Sequence, residues 1–145
     1  MKSLTKILAG LSLATALSFI TSTALAEIAI VTHPATKEIG LSSNHIAEIY
    51  LGKVKTFKNG TRIKPVDQAK GSPLRIKFYK AVMKKSENEI NRYWSKRKYS
   101  GKGKPPVSIH GNQAVKEYIA NNPGAIGYVE GKFLDSSVKV VLIIP

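Results

Sequence analysis

The chain has 145 residues, with 23 Lys and Arg against 9 Asp and Glu and a formal charge of +14. That length holds one ordinary domain, and the absence of cysteine excludes a disulfide scaffold, a cysteine-ligated metal centre and a thiol nucleophile. A composition of 43% hydrophobic and 22% charged residues excludes a compositionally disordered chain, and the excess positive charge calls for an anionic partner.

Lys2 and Lys6 precede an apolar stretch over residues 7–20, and Ala24-Leu25-Ala26 follows with small side chains at the positions a signal peptidase reads. This pattern predicts a secretory signal peptide over residues 1–26 and a single domain over residues 27–145. The apolar stretch is shorter than the roughly 20 residues that a bilayer crossing needs. Export to a bacterial periplasm is the expected localisation.

Residues 27–32 form a short β-branched run and predict a strand. Ser42 or Ser43 then caps a helix running to Leu51, with Ile46, Ile49 and Tyr50 on its buried face and Gly52 just past its end. Asn59-Gly60 is a turn, and residues 63–66 predict a second strand ending at Asp67-Gln68. Gly71-Ser72-Pro73 opens a helix to about residue 85, with Leu74, Phe78, Ala81 and Val82 inward and Arg75, Lys77, Lys80 and Lys84 outward.

Ser86 and Glu89 form a capping box that starts the next helix, where Ile90, Tyr93 and Trp94 make the apolar stripe. Residues 100–106 are a Gly-, Lys- and Pro-rich loop. Asn112 caps a helix to about residue 121 that buries Val115, Tyr118 and Ile119. Asn122-Pro123-Gly124 turns the chain into a strand over residues 125–129, and residues 138–144 form a last apolar strand, expected to be covered on both faces. Strands alternating with helices indicate an α/β domain.

The charge is concentrated. Residues 53–104 hold 17 Lys and Arg against three acids, whereas the remainder of residues 27–145 holds four bases and six acids. A block of this kind reads either as a patch or as solvated helix faces.

Within it, the start of the Pro73 helix offers N–H groups to an oxyanion. The Ser72 hydroxyl and the N–H groups of Leu74 and Arg75 converge there, Gly71 allows the turn, and Lys70 and Arg75 add charge. Asp67 and Gln68 end a strand, where open α/β sheets place their ligands. The loop Gly101-Lys102-Gly103 is a second candidate, with glycines that let the backbone approach an anion. Ser43, beside Ser42 at the first helix start, is a third. Each also reads as an ordinary cap or helix exit.

Catalytic, metal and cofactor readings find no pattern. His33, His45 and His110 are far apart and form no ligand spacing; no carboxylate pair is set apart by its surroundings, and there is no Gly-x-Ser-x-Gly elbow. A non-enzymatic protein without a cofactor is expected. Residues 92–99 interleave bases with aromatics as single-strand binders do, but Tyr93 and Trp94 fall on the apolar stripe, so nucleic acid is not the expected partner.

Taken together, Leu51-Gly52-Lys53, Pro65-Val66-Asp67-Gln68, Gly71-Ser72-Pro73-Leu74-Arg75, Phe78-Tyr79, Tyr93-Trp94, the loop from Ser100 to Pro106 and Asn122-Pro123-Gly124-Ala125-Ile126-Gly127-Tyr128-Val129 resemble the phosphate-type periplasmic substrate-binding proteins, in particular their short single-lobe relatives. The resemblance covers essentially all of residues 27–145. It implies a type II periplasmic-binding-protein lobe with a mixed sheet flanked by helices. It also implies a role in binding phosphate or a phosphorylated solute for an ABC transporter permease or an envelope sensor.

The departures are specific. Larger members close two lobes on the anion and hold it with a Ser-Gly-Thr turn preceded by an arginine. Here the turn is Gly71-Ser72-Pro73, Gln68 stands near the place of the basic residue, and Pro73 replaces the threonine hydroxyl. The alternative expectation is an interaction protein whose cationic face docks an anionic membrane surface, lipopolysaccharide or an acidic protein.

Overall fold

In the computed structural model, which describes residues 27–145, the run Ile28–Thr32 forms β1 with all five residues buried. The predicted signal peptide lies outside the described residues. α1 (Ser43–Tyr50) follows, with Ser42 at its N-cap accepting the His45 N–H at 3.2 Å. Then come β2 (Lys64–Gln68), α2 (Pro73–Phe78), a π-helical turn (Tyr79–Met83), α3 (Glu87–Tyr99), β3 (Val107–Ile109), α4 (Asn112–Asn121), β4 (Ala125–Glu130), a 3₁₀ turn (Gly131–Phe133) and β5 (Lys139–Ile144).

The strands form one mixed sheet in the order β3-β2-β4-β1-β5. β2 runs parallel to β3 and β4, and β1 runs antiparallel to β4 and β5. The carboxyl ends of β2, β3 and β4 therefore share one edge. Side-chain alternation splits the core in two. Ile28 and Ile30 of β1 and Ile126 and Tyr128 of β4 face α1, α2 and α3, whereas Ala29, Val31, Ala125 and Val129 face α4. The result is a three-layer α/β domain, as the alternating sequence pattern implies.

Two glycines make this packing possible. A Cβ on Gly127 would stand 2.6 Å from Ile119 Cδ1, so its absence lets α4 lie close on β4. Gly124 has φ +85°, and a Cβ there would stand 2.4 Å from the Arg62 carbonyl oxygen. That close approach carries the Lys64 N–H to Gly124 O hydrogen bond (2.9 Å) that starts β2 beside β4.

Four expectations are corrected. The helix after Pro73 does not run on as a regular α-helix. It widens into the π turn, where the Lys84 N–H reaches Tyr79 O, and stops at Lys84, whose φ is +54°. Arg75, expected outward, is buried at 6% exposure beside Tyr79. The cap of α4 is Gly111, with φ +93°, and Asn112 is the first helical residue. β5 is an edge strand that leaves Val140 and Ile143 each 40% exposed, because only β1 pairs with it. β3 has no signature of its own in the sequence; it is three residues long, largely exposed, and formed by pairing with β2.

Replacing Gly124 by Ala is expected to cost about 2 kcal/mol or more, combining left-handed strain with a backbone collision. Gly60 also has positive φ but open space around it, so Gly60→Ala isolates the strain. Urea denaturation of both variants checks this; equal losses would contradict the packing role.

Candidate anion-binding site

The site begins with a carboxylate that the fold buries. The register that pairs Pro65 with Ile126 brings Asp67 of β2 level with Tyr128 of β4. Asp67 is 4% exposed, so its charge needs partners on every side. Oδ1 accepts the Tyr128 hydroxyl and the Gln68 N–H (2.9 Å), and Oδ2 accepts the Tyr79 hydroxyl. Arg75 Nε lies 3.3 Å from Oδ2 and donates to Tyr79 Oη at 3.1 Å.

Tyr128 is fixed from behind by Phe78, stacked at 3.9 Å between ring centroids and 8° between planes. Tyr50 meets Phe78 edge-on at 4.8 Å and donates to Val66 O at 2.7 Å. Burial raises the Asp67 carboxyl above its ordinary range, against the pull of the two phenols, Arg75 and the Gln68 amide. Burial and the Asp67 charge raise both Tyr79 and Tyr128, which keeps the phenols protonated as donors. Burial alone would lower Arg75, but the Asp67 charge reverses that and leaves it raised.

Arg75 links this cluster to the helix layer. Its Nη2 donates to Asn91 Oδ1 of α3 at 3.3 Å, and its Nη1 lies 3.0 Å from Glu87 Oε1. That second contact is out of hydrogen-bond alignment, and Nη1 has no hydrogen-bond partner among the described residues. The same Glu87 oxygen accepts the Gly71 N–H at 2.9 Å. One carboxylate of the protein thus sits on a turn N–H and a guanidinium, the groups an external oxyanion would use.

A cleft of about 250 Å³ opens beside these groups, roughly eight water volumes. Asp67, Arg75, Tyr79, Trp94, Pro105 and Pro106 line it, with the exposed Lys70 and Lys98. Among the described residues, no cluster of three or more His, Asp or Glu is placed to hold a metal, and no helix is long and apolar enough to cross a membrane.

The sequence candidates separate in space. Asp67, Lys70 and Arg75 line the cleft together. Gly71 lies next to it with its N–H on Glu87, and Ser72 takes the N-cap position of α2 without a side-chain cap bond. Gln68 is buried at 3% exposure, its amide nitrogen donating to Tyr128 O (3.1 Å) and Asn112 Oδ1 (3.5 Å). Lys102 and Gly103 line a different cleft, which Trp94 also lines, and Gly101 with Gly103 borders a shallow recess beside Lys98 and Lys104. Ser43 is exposed on the first turn of α1, which follows the carboxyl end of β1 at the opposite edge of the sheet from that of β2.

Sequence reasoning does not find Tyr79, Asn91, Lys98 or Tyr128 in the site. Glu87 reads there only as part of a helix start. The one available signal is the Arg75–Tyr79 spacing of four, which puts both on one helix face next to an acid at a strand end.

No protein-family model matches the sequence, and no curated protein matches it significantly. Solved structures do. The chain is similar to a protein from Clostridium perfringens assigned as a phosphate ABC transporter substrate-binding protein, solved with bound phosphate (TM-score 0.65, 25% identity, covering 80% of this chain and 45% of that one). It is also similar to an ABC-type phosphate transport receptor from Vibrio cholerae (TM-score 0.64, 20% identity, 80% and 46%). A third is PstS from Borrelia burgdorferi (TM-score 0.63, 15% identity, 80% and 47%). The chain spans less than half the length of each. Its fold is that of a single lobe of the phosphate-type substrate-binding proteins.

Asp67→Asn is expected to destabilise the domain by about 3 kcal/mol, because it removes one of the two carboxylates that face the buried Arg75 and the charge that the Tyr79 and Tyr128 hydroxyls donate to. Denaturant titration measures this. A loss below about 1 kcal/mol would mean that Arg75 does not depend on Asp67.

Proposed function

We propose that the chain is an exported solute-binding lobe that holds a small oxyanion, phosphate or a phosphorylated solute, beside Arg75, Lys70 and Lys98, without catalysing a reaction. The observation that carries this reading is the buried Arg75 Nη1, which faces Glu87 Oε1 at 3.0 Å without hydrogen-bond alignment and belongs to a side chain lining the cleft. A guanidinium held from behind by Asp67, Tyr79 and Asn91 is pre-organised, so an arriving anion does not have to order it. Lys70 and Lys98 supply further charge from flexible stems.

The fold supports the reading, as does the phosphate bound by the Clostridium perfringens protein. Asp67 already accepts from two phenols and one amide, which suits it to fixing Arg75 better than to moving protons. The lobe would pass its solute to an ABC transporter permease or an envelope sensor from the periplasmic side.

Glu87 sets the affinity. Its carboxylate already occupies the Gly71 N–H and lies against Arg75, so a free oxyanion competes with it. Calorimetric titration with inorganic phosphate is expected to show saturable one-to-one binding. Glu87→Gln should tighten it about fivefold, roughly 1 kcal/mol, by removing the competing charge. Lys98→Ala and Lys70→Ala should weaken it. Absence of phosphate binding in both the wild type and Glu87→Gln would overturn the function. Binding that Glu87→Gln leaves unchanged would overturn the competition.

One observation favours a second reading. Tyr99 is 94% exposed and lines a surface hollow with Lys85, Arg92 and Lys96, a combination suited to an anionic lipid surface. Sedimentation with vesicles containing anionic lipid distinguishes the two. Salt-sensitive adhesion lost in Tyr99→Ala, with no phosphate binding, would favour docking.

A further inference from the structure

Trp94 and Pro106 line a second cleft as well as the first. It is larger, about 430 Å³, and the rest of its lining is chemically different. Lys55, Arg62, Arg97, Lys102 and Lys104 supply five cations, and no acidic residue lines it. The rest is mostly apolar, with Ile49, Ile63, Pro65 and Pro106 beside the Trp94 ring.

The wall is held in place. The Arg97 guanidinium carbon lies 5.5 Å from the Tyr93 ring centroid and 5.8 Å from that of Trp94, and Nη2 donates to Lys102 O at 3.0 Å. Those contacts tie the loop over residues 101–104 to α3. Arg97 Nε is buried and has no hydrogen-bond partner among the described residues. Gly52 and Gly103 lie at the Trp94 ring, where a Cβ on either would come within 2.9 and 3.8 Å of it, and both have positive φ.

A site made only of lysines would select charge alone. One that joins five cations to a buried indole edge, two prolines and branched aliphatics selects an anion with an apolar body. We propose that this cleft is a second binding site, distinct from the one beside Arg75, for small organic phosphates or carboxylates that carry a flat, apolar group. The anionic head pairs with Lys55, Arg62 and Lys102, and the flat group packs against Trp94 and Pro106. Inorganic phosphate lacks the apolar half and binds here weakly.

Trp94 is the chain's single tryptophan and lines both clefts, so its emission reports binding in either and the Lys98 and Lys102 variants tell them apart. Phenyl phosphate is the probe, titrated by Trp94 fluorescence and by calorimetry at moderate salt, with inorganic phosphate titrated in parallel. The expected result is saturable binding of phenyl phosphate at least tenfold tighter than that of inorganic phosphate in Lys98→Ala, which weakens the first cleft. Lys102→Ala and Arg62→Ala, both exposed and tolerable to the fold, should each weaken phenyl phosphate at least fivefold. Equal affinities for the two probes, loss in Lys98→Ala as large as in Lys102→Ala, or no binding of phenyl phosphate would each overturn the proposal. Inorganic phosphate binding that depends on Lys98 but not on Lys102 would leave the first site intact in any of these cases.

Discussion

A buried carboxylate organises this domain. Asp67 sits on a central strand with almost no water, where an isolated charge is unsustainable. Its partners come from separate elements: Tyr128 from β4, Tyr79 from the π turn and Arg75 from α2. Satisfying one charge therefore fixes how the helix layer sits on the sheet. Arg75 and Tyr79, four residues apart on one helix face, reach the same acid. Arg75, once anchored, reaches Asn91 and Glu87 and so holds α3 in the same arrangement.

Most of the framework was legible because it follows from period and punctuation. β1, α1, the capping box at Ser86 and Glu89, and the turn before β4 are local patterns, and each forms nearly where it is predicted. The failures share a cause. β3 exists through pairing with β2, and β5 is half exposed because it ends up at the sheet edge. Neither fact resides in a local window. The sequence pattern places Arg75 outward because arginine on a helix is normally solvated; carboxylates on the preceding strand and on α3 turn it inward. The pairing of Asp67 with Arg75 and the two tyrosines spans four elements, and no spacing rule encodes the part that Tyr128 plays.

The candidate residues divide in the same way. Lys70, Arg75 and Asp67 gather because β2 feeds directly into α2. Lys102 and Gly103 of the 101–103 loop line the second cleft instead. Part of the positive charge of the central block lines two clefts with a shared aromatic wall. One has a buried acid behind its cations, and the other has apolar surface between them. A protein carboxylate, Glu87, already rests on the turn N–H and near Arg75, so the lobe has its own stand-in for an oxyanion.

That substitution is the claim most open to direct observation. Amide and arginine side-chain NMR of the isotopically labelled domain, titrated with inorganic phosphate, follows the Gly71 N–H and the Arg75 Nε–H individually. The account predicts that both move along one saturable curve, with the Gly71 signal shifting as Glu87 gives way to phosphate. Shifts that never saturate and are spread over the exposed lysine-bearing segments, with Gly71 and Arg75 unmoved, would contradict it.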